Sequence, residues 1–255
     1  MIVLKDALAL AKMRTAGALL AEMFDGMSVV VKEGASTASI DVWIAQWLSL
    51  HGLISKTKGY QGYRHVSCVS VNDEVVHGIP RSLKLLVPGD LVKVDVCASW
   101  SGYSADMARC FFVSDVYSAE AKKLVDTAYS SLDKGIAQAL VGNHLTDISA
   151  AIQNAVESEG FGVVRDFAGH GIGKKMHEEP EILNYGTPGG GPLLQEGMTF
   201  ALEPMITAGS YLIYVTSDRW TVKTRDGSLA AHVEDTIVVT SHGPEIITRN
   251  EKRGV

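Results

Sequence analysis

Residues 91–113, LVKVDVCASWSGYSADMARCFFV, place two acids inside what reads as one β-hairpin. Val92, Val94 and Val96 alternate along 91–97 and put Asp95 on the opposite face. Residues 103–113 are strand-like again, and Ser99-Trp100-Ser101-Gly102 between them is a turn signal. With the turn centred between Trp100 and Ser101, Asp95 stands opposite Asp106 on one face, where opposed Cβ atoms lie roughly 4.5–5.5 Å apart. At ~4 Å, two bare carboxylates repel by about 4 kcal/mol at an effective dielectric of 20. A cation shared between them relieves that repulsion. The plain alternative is a pair of solvated surface acids on a turn shifted by one residue, and the hairpin alone does not choose.

Composition narrows the classes. The chain has 255 residues, 46% hydrophobic and 20% charged, so it can bury a sizeable core as one large domain or two small ones. A net charge of −6 argues against strong non-specific nucleic-acid binding. Cys68, Cys97 and Cys110 lack Cys-x-x-Cys spacing, fit a reducing compartment, and read as buried small residues. The N-terminus MIVLKDALALAKMRTAG is interrupted by Lys5, Asp6, Lys12 and Arg14 at helical spacing, unlike a signal peptide. No apolar run reaches the ~18 residues of a membrane span. A soluble, cytoplasmic protein is expected.

Helical patterns cover 4–26, 37–52, 118–141 and 146–159, the second ending at Gly52 and the fourth closed by Gly160. Strand patterns cover 66–72, 75–79, the hairpin, 162–167, 197–206, 211–216, 219–224 and 231–239. Two helices then strands, twice over, is not β-α-β-α alternation. It predicts an α+β chain of two similar halves, near 1–115 and 116–255. PGDLVKVDV and EGMTFALEP echo each other, each setting an acid on a strand after a glycine turn.

That second acid, Glu203, and Glu234 in AHVEDTIVV both lie in apolar strand patterns. A charged carboxylate there is costly unless it is paired or metal-bound. The alternative is a salt bridge, for which Lys223 and Arg225 are nearest in sequence. His170 and His177 frame GHGIGKKMH, which is neither His-Glu-x-x-His nor a dinucleotide loop. His77, in NDEVVHGIP, stands at a strand end before a Gly-Ile-Pro turn.

SCVSVNDEVVHGIP, GDLVKVDVCASWSGYSADMARCFFV, GHGIGKKMHEEP, GMTFALEPM and WTVKTRDGSLAAHVEDTIVVT together strongly resemble type I methionine aminopeptidases of the short bacterial type, members of the pita-bread metallopeptidases. The stretches run in the family's order along almost the whole chain. The resemblance implies one catalytic domain over 1–255, with two pseudo-symmetric α+β halves and a central antiparallel sheet covered by helices. It implies Asp95, Asp106, His170, Glu203 and Glu234 as metal ligands, with Asp106 and Glu234 shared by two ions. Four carboxylates and one imidazole balance two divalent cations and suit Mn, Fe(II), Co or Zn. The implied reaction is hydrolysis of an N-terminal methionyl peptide bond by a water or hydroxide shared between the ions. Glu203 would accept its proton, His177 would bond the oxyanion, and His77 would orient the scissile amide. Tyr63, Cys68 and Trp220 match the family's side-chain pocket, with Met176 where Phe is usual. The implied partners are methionyl peptides and nascent chains, with transient ribosome association and a monomeric state.

Two departures stand out. Arg64-His65 follow Tyr63 where the family has Pro, and His232-Val233-Glu234-Asp235 replaces the usual Gln-Phe-Glu-His. Flanking changes of this kind shift metal affinity 10–100-fold. The competing readings are an Xaa-Pro aminopeptidase or prolidase of the same fold, disfavoured by the roughly ninety residues before Asp95, and a binding protein that has kept the fold, disfavoured by the intact ligand set.

Overall fold

A computed structural model describes residues 1–250. The first half runs α1 (Ala7–Asp25), α2 (Thr37–Leu50), β1 (Ile54–Ser55), β2 (Cys68–Val71), β3 (Leu91–Trp100) and β4 (Tyr103–Phe112). The second runs α3 (Ala119–Ile136), α4 (Leu145–Glu157), β5 (Gly162–Val163), β6 (Ala168–Gly171), β7 (Glu178–Leu183), β8 (Thr199–Leu202) and β9 (Met205–Thr207). It ends with β10 (Ile213–Val215), β11 (Val222–Thr224), β12 (Ala230–His232), β13 (Asp235–Thr240) and β14 (Gly243–Ile246).

The helices begin where short polar side chains satisfy free backbone donors. Asp6 accepts from the Ala9 N–H at 2.8 Å, Ser36 from Ser39 at 3.1 Å and Ser118 from Ala121 at 3.0 Å. The Asp147 carboxylate reaches back to the His144 N–H at 2.7 Å. Past α2, Gly52 takes φ +68°, a left-handed value that suits glycine. α1 buries Met13, Leu20, Met23 and Phe24 and packs on β3 and β4. α3 and α4 pack on each other and face the second half's strands, around Leu124, Leu132, Ile148 and Ile152.

The strands form four antiparallel sheets: β1-β3-β2 with β4 on β3, β14-β13-β8-β6-β7, β12-β9-β5, and the β10–β11 pair. The first-half and second-half strands meet at a seam, an isolated antiparallel bridge between Ala108 and Glu234. Glu234 N–H donates to the Ala108 carbonyl at 3.0 Å. The Thr236 hydroxyl accepts from Asp106 N–H and donates to the Asp106 carbonyl, both at 2.8 Å. Asp106 and Glu234 are thus held at the place where the halves join.

Most expected elements are present with instructive changes, and β1, β7 and β14 are additional to them. The hairpin turn is Ser101-Gly102, with φ +48° and +82° and Trp100 paired to Tyr103, a two-residue turn of the type that suits strand twist. The register therefore sets Asp95 against Ala108 and Cys97 against Asp106. The two aspartates share a face, but diagonally, where side chains on neighbouring pairs still reach one another. Residues 75–79 are not a strand, because His77 turns left-handed at φ +57°. The pattern over 162–167 shortens to β5. The patterns over 197–206 and 231–239 each break in the middle, at Glu203-Pro204 and Val233-Glu234. Proline removes a ladder donor at the first break. At the second, Glu234 bonds across the seam instead of within a continuous strand.

Candidate metal centre and substrate cavity

One cavity of about 560 Å³ is lined by every residue singled out in the sequence as ligand, catalytic or pocket group. β3 and β4 contribute Asp95 and Asp106. β6 contributes His170. Glu203 and Glu234 come from the two strand breaks, where a side chain leaves the regular in-and-out alternation and turns into the cavity.

Among the described residues, donor atoms of Asp106, His170 and Glu234 all lie within 4.8 Å of one another. Glu203 Oε1 is 3.5 Å from His170 Nε2. His170 Nδ1 bonds the Gly171 carbonyl at 2.9 Å, so its proton sits there and Nε2 is left with a free lone pair. Asn184, itself buried, donates to the Glu203 carbonyl at 3.0 Å and fixes the strand break. Lys223 pairs with Asp73, and Arg225 bonds the Ile213 carbonyl, so neither neutralises Glu203 or Glu234.

The carboxylates are held together at a cost. Burial pushes the Asp106 acid up to about 6, opposed by the Cys97 thiol and the Met107 N–H that bond it. Burial first, then the Asp106 charge, pushes Asp95, Glu203 and Glu234 well above the carboxylate range. Glu234 Oε1 is buried with no hydrogen-bond partner among the described residues. A buried, unpartnered carboxylate oxygen beside three more acids and a free imidazole nitrogen has the chemistry of a candidate cation site. The donor set contains oxygen and imidazole ligands and fits borderline-hard divalent ions rather than a thiolate-bound structural zinc.

Burial also lowers the histidines: His77 to about 4, with the His177 charge acting in the same direction, and His177 less strongly. Both are neutral donors near pH 7. The His77 ring is held edge-on by Phe167 at 5.4 Å and Trp220 at 6.4 Å between centroids. Tyr63 packs edge-on to Trp220 at 4.8 Å, and its hydroxyl donates to the Ser67 carbonyl at 3.0 Å. Cys68 pairs with Asp95 across β2–β3, and burial keeps its thiol protonated. With Met176, these residues give the cavity one apolar wall.

The departures separate cleanly. His232 is 2% exposed, turns toward Glu203, and sets Nε2 3.7 Å from Glu203 Oε2 without a hydrogen bond. Asp235, one residue beyond Glu234, points the other way. It accepts from Arg109 Nη2 at 2.6 Å, Thr248 Oγ1 at 2.8 Å and Arg249 Nε at 2.7 Å. His65 bonds Asp41 at 3.0 Å, whose other oxygen accepts from the Val66 and Ser67 N–H groups. Arg64 lies beside α2 with Val42 and Ala45. Neither Arg64 nor His65 lines the cavity.

The sequence reading missed Cys97, Tyr60, Phe167 and Met205, all of which line the cavity. Cys97 was visible as the partner of Asp106 only once the turn was placed. Tyr60 carried a faint signal, an aromatic in the glycine-flanked GYQGY.

A profile described as metallopeptidase family M24 matches residues 11–241. The chain is 45% identical to a methionine aminopeptidase of Clostridium acetobutylicum over 97% of this chain and 99% of that one. It superposes on the crystal structure of a Thermotoga maritima methionine aminopeptidase with a TM-score of 0.96 at 40% identity, covering 98% and 100% of the two chains. An X-Pro aminopeptidase structure from Thermotoga maritima shares the fold alone, with a TM-score of 0.76 at 19% identity and 62% of its length covered. The chain therefore belongs to metallopeptidase family M24, and its α+β fold is the pita-bread arrangement.

Proposed function

We propose that the protein is a metal-dependent aminopeptidase that removes N-terminal methionine from peptides and nascent proteins. The observation that carries this reading is the meeting, in one cavity, of five ligand-type side chains with an apolar wall of Tyr63, Cys68, Met176 and Trp220. Residues 1–255 would act as one catalytic domain whose related halves each contribute part of the ligand set. Asp95, Asp106, His170, Glu203 and Glu234 would hold two divalent cations, Mn, Fe(II), Co or Zn, with Asp106 and Glu234 shared. Bound there, such ions supply Lewis acidity and lower the pKa of water.

The chain's own groups do the rest. Glu203, whose proton affinity is raised by burial, accepts the proton of the attacking water. His177, a neutral donor, bonds the oxygen that becomes negative at the scissile carbonyl. His77, clamped by Phe167 and Trp220, orients the scissile amide. Buried acids lining the cavity favour a free α-amine, which confines cleavage to N-termini. The methionine side chain fills the apolar wall. One methylene is worth about 1–3 kcal/mol in such a pocket, so S-methylcysteine termini, one methylene shorter than methionine, should be cleaved more slowly but not refused.

No helix among the described residues is long and apolar enough to cross a membrane. A cytoplasmic, monomeric enzyme that meets nascent chains at the ribosome is part of the same proposal. The test is reconstitution of stripped protein with Mn²⁺, Fe²⁺, Co²⁺ or Zn²⁺, followed by Met-Ala-Ser and Ala-Pro peptides. Methionine release from the first is expected. Preference for the second would mark an Xaa-Pro enzyme, and silence with every metal would mark a binding protein.

A further inference from the structure

We propose that Tyr60 is a positioning residue, whose hydroxyl holds the His177 ring in the tautomer that keeps its proton on Nε2. The proposal rests on the reading of His177 as a hydrogen-bond donor to the reacting carbonyl oxygen.

Tyr60 Oη lies 3.0 Å from His177 Nδ1, and the two rings meet edge-to-face with centroids 5.1 Å apart. Both side chains line the cavity. The phenol has one hydrogen and two lone pairs. Gln61 Nε2 donates to the same oxygen at 3.2 Å and takes one lone pair. Both tautomers keep the two contacts, but only the one that sends the phenolic hydrogen to Nδ1 also uses that hydrogen, which has no other acceptor among the described residues. A neutral imidazole that accepts at Nδ1 carries its proton on Nε2, the nitrogen left for the cavity. The opposite tautomer would offer the cavity only a lone pair, which repels a developing oxyanion.

The backbone supports this reading. Tyr60 stands in a turn in which Gly59, Gln61 and Gly62 all take left-handed φ, +92°, +46° and +87°. Gln61 has a Cβ and adopts that region unwillingly. The turn is closed by Gly59 N–H donating to the Tyr63 carbonyl at 2.7 Å. It therefore links Tyr63, in the apolar wall, to Tyr60, on the histidine. Tyr60 remains 37% exposed at the rim, so its ring adds little to the core. A residue so placed and so little buried is better explained by the hydroxyl contact than by packing.

The test is Tyr60→Phe, which removes the hydroxyl and keeps the ring. Long-range proton–nitrogen NMR spectra of full-length, zinc-loaded protein labelled with ¹⁵N-histidine report which ring nitrogen is protonated, and a His177→Gln spectrum assigns the signal. In the wild type, His177 is expected as the Nε2–H form; in Tyr60→Phe, both nitrogens move toward averaged values. Because Tyr60 acts through His177, kcat is expected to fall about ten-fold, less than loss of an oxyanion donor itself. KM and the zinc Kd are expected to stay within about two-fold. An Nδ1–H form in the wild type, or an unchanged tautomer in Tyr60→Phe, overturns the proposal. Wild-type turnover in His177→Ala, which leaves no side-chain donor there, would instead overturn the oxyanion role beneath it, and the spectra keep those two failures apart.

Discussion

His232 and Asp235 lie on either side of Glu234 and serve different ends. Asp235 anchors Arg109 and Arg249 behind the site, fully buried. Removing one partner from a buried charge network costs about 3–5 kcal/mol. Asp235→Ala should therefore lower the urea midpoint by that equivalent, whatever the metal content. His232 instead carries a buried nitrogen without a partner, 3.7 Å from Glu203. His232→Leu should leave the stripped protein as stable or slightly more so, since an unsatisfied polar atom disappears. It should weaken metal binding roughly 10–100-fold by calorimetry, because a polar neighbour of a ligand is lost. If metal affinity does not move, His232 has no part in the site. Asp106 sits at the seam and within the tightest donor cluster. Asp106→Ala should abolish turnover, and near-wild-type activity in that variant would falsify the ligand assignment.

Two elements set the geometry of the centre. In the β3–β4 hairpin, Ser101 sits at φ +48° in a position that suits Asn better than Ser. Ser101→Asn should stabilise by up to about 1 kcal/mol and raise Tm by a few degrees at most, with unchanged turnover. Strand β6 lies between β7 and β8, and its glycines explain GHGIG. A Cβ on Gly171 would meet the Glu179 carbonyl oxygen at 2.1 Å, and one on Gly169 the Ala201 carbonyl oxygen at 2.5 Å. Those glycines serve close strand packing that fixes His170, not phosphate binding. Gly171→Ala should cost about 1–3 kcal/mol or more and weaken metal binding as well. A variant with native Tm and native metal affinity would show that the close approach does not matter.

At the scale of the molecule, cation binding and folding are linked through the acids. Asp106 titrates at about 6 in the folded chain, against roughly 3.9 unfolded. A raised folded pKa contributes stability that is present below the unfolded pKa and lost as pH rises through the folded one. Asp95, Glu203 and Glu234 shift in the same direction. The stripped protein therefore carries its electrostatic penalty at neutral pH and sheds it toward pH 5. A metal at a hundred times its Kd adds about 2.7 kcal/mol. The Tm difference between loaded and chelated protein should be largest near pH 7.5 and shrink by pH 5, where protons compete for the same carboxylates. A constant difference across that range would argue that these acids do not bind the ion. Burial of His77 and His232, lowered to about 4 and about 3, acts oppositely, removing stability below pH 6.5 as the unfolded imidazoles take up protons. It does so in both forms and largely cancels in the comparison.

The α+β class, most of the elements and the oddly placed acids and histidines were readable from the chain, because alternation, helix caps and misplaced acids are local signals; Tyr63, Cys68, Met176 and Trp220 were marked only by the family resemblance. What the sequence alone could not settle was where those signals break. The hairpin register turned on a single residue of turn chemistry, and it changed a facing pair of aspartates into a diagonal one with Cys97 between partners. Glu203 and Glu234 looked like mid-strand residues; Pro204 interrupts the first strand and the bridge to Ala108 the second, and only the tertiary structure brings the two carboxylates into one cavity. Asp235 and His232 were indistinguishable as neighbours of a ligand until the backbone set them on opposite sides. Local pattern determines which residues are apolar, capped or costly to bury. Which costly groups share one space is decided by contacts far apart in the chain, and the tertiary structure alone supplies those.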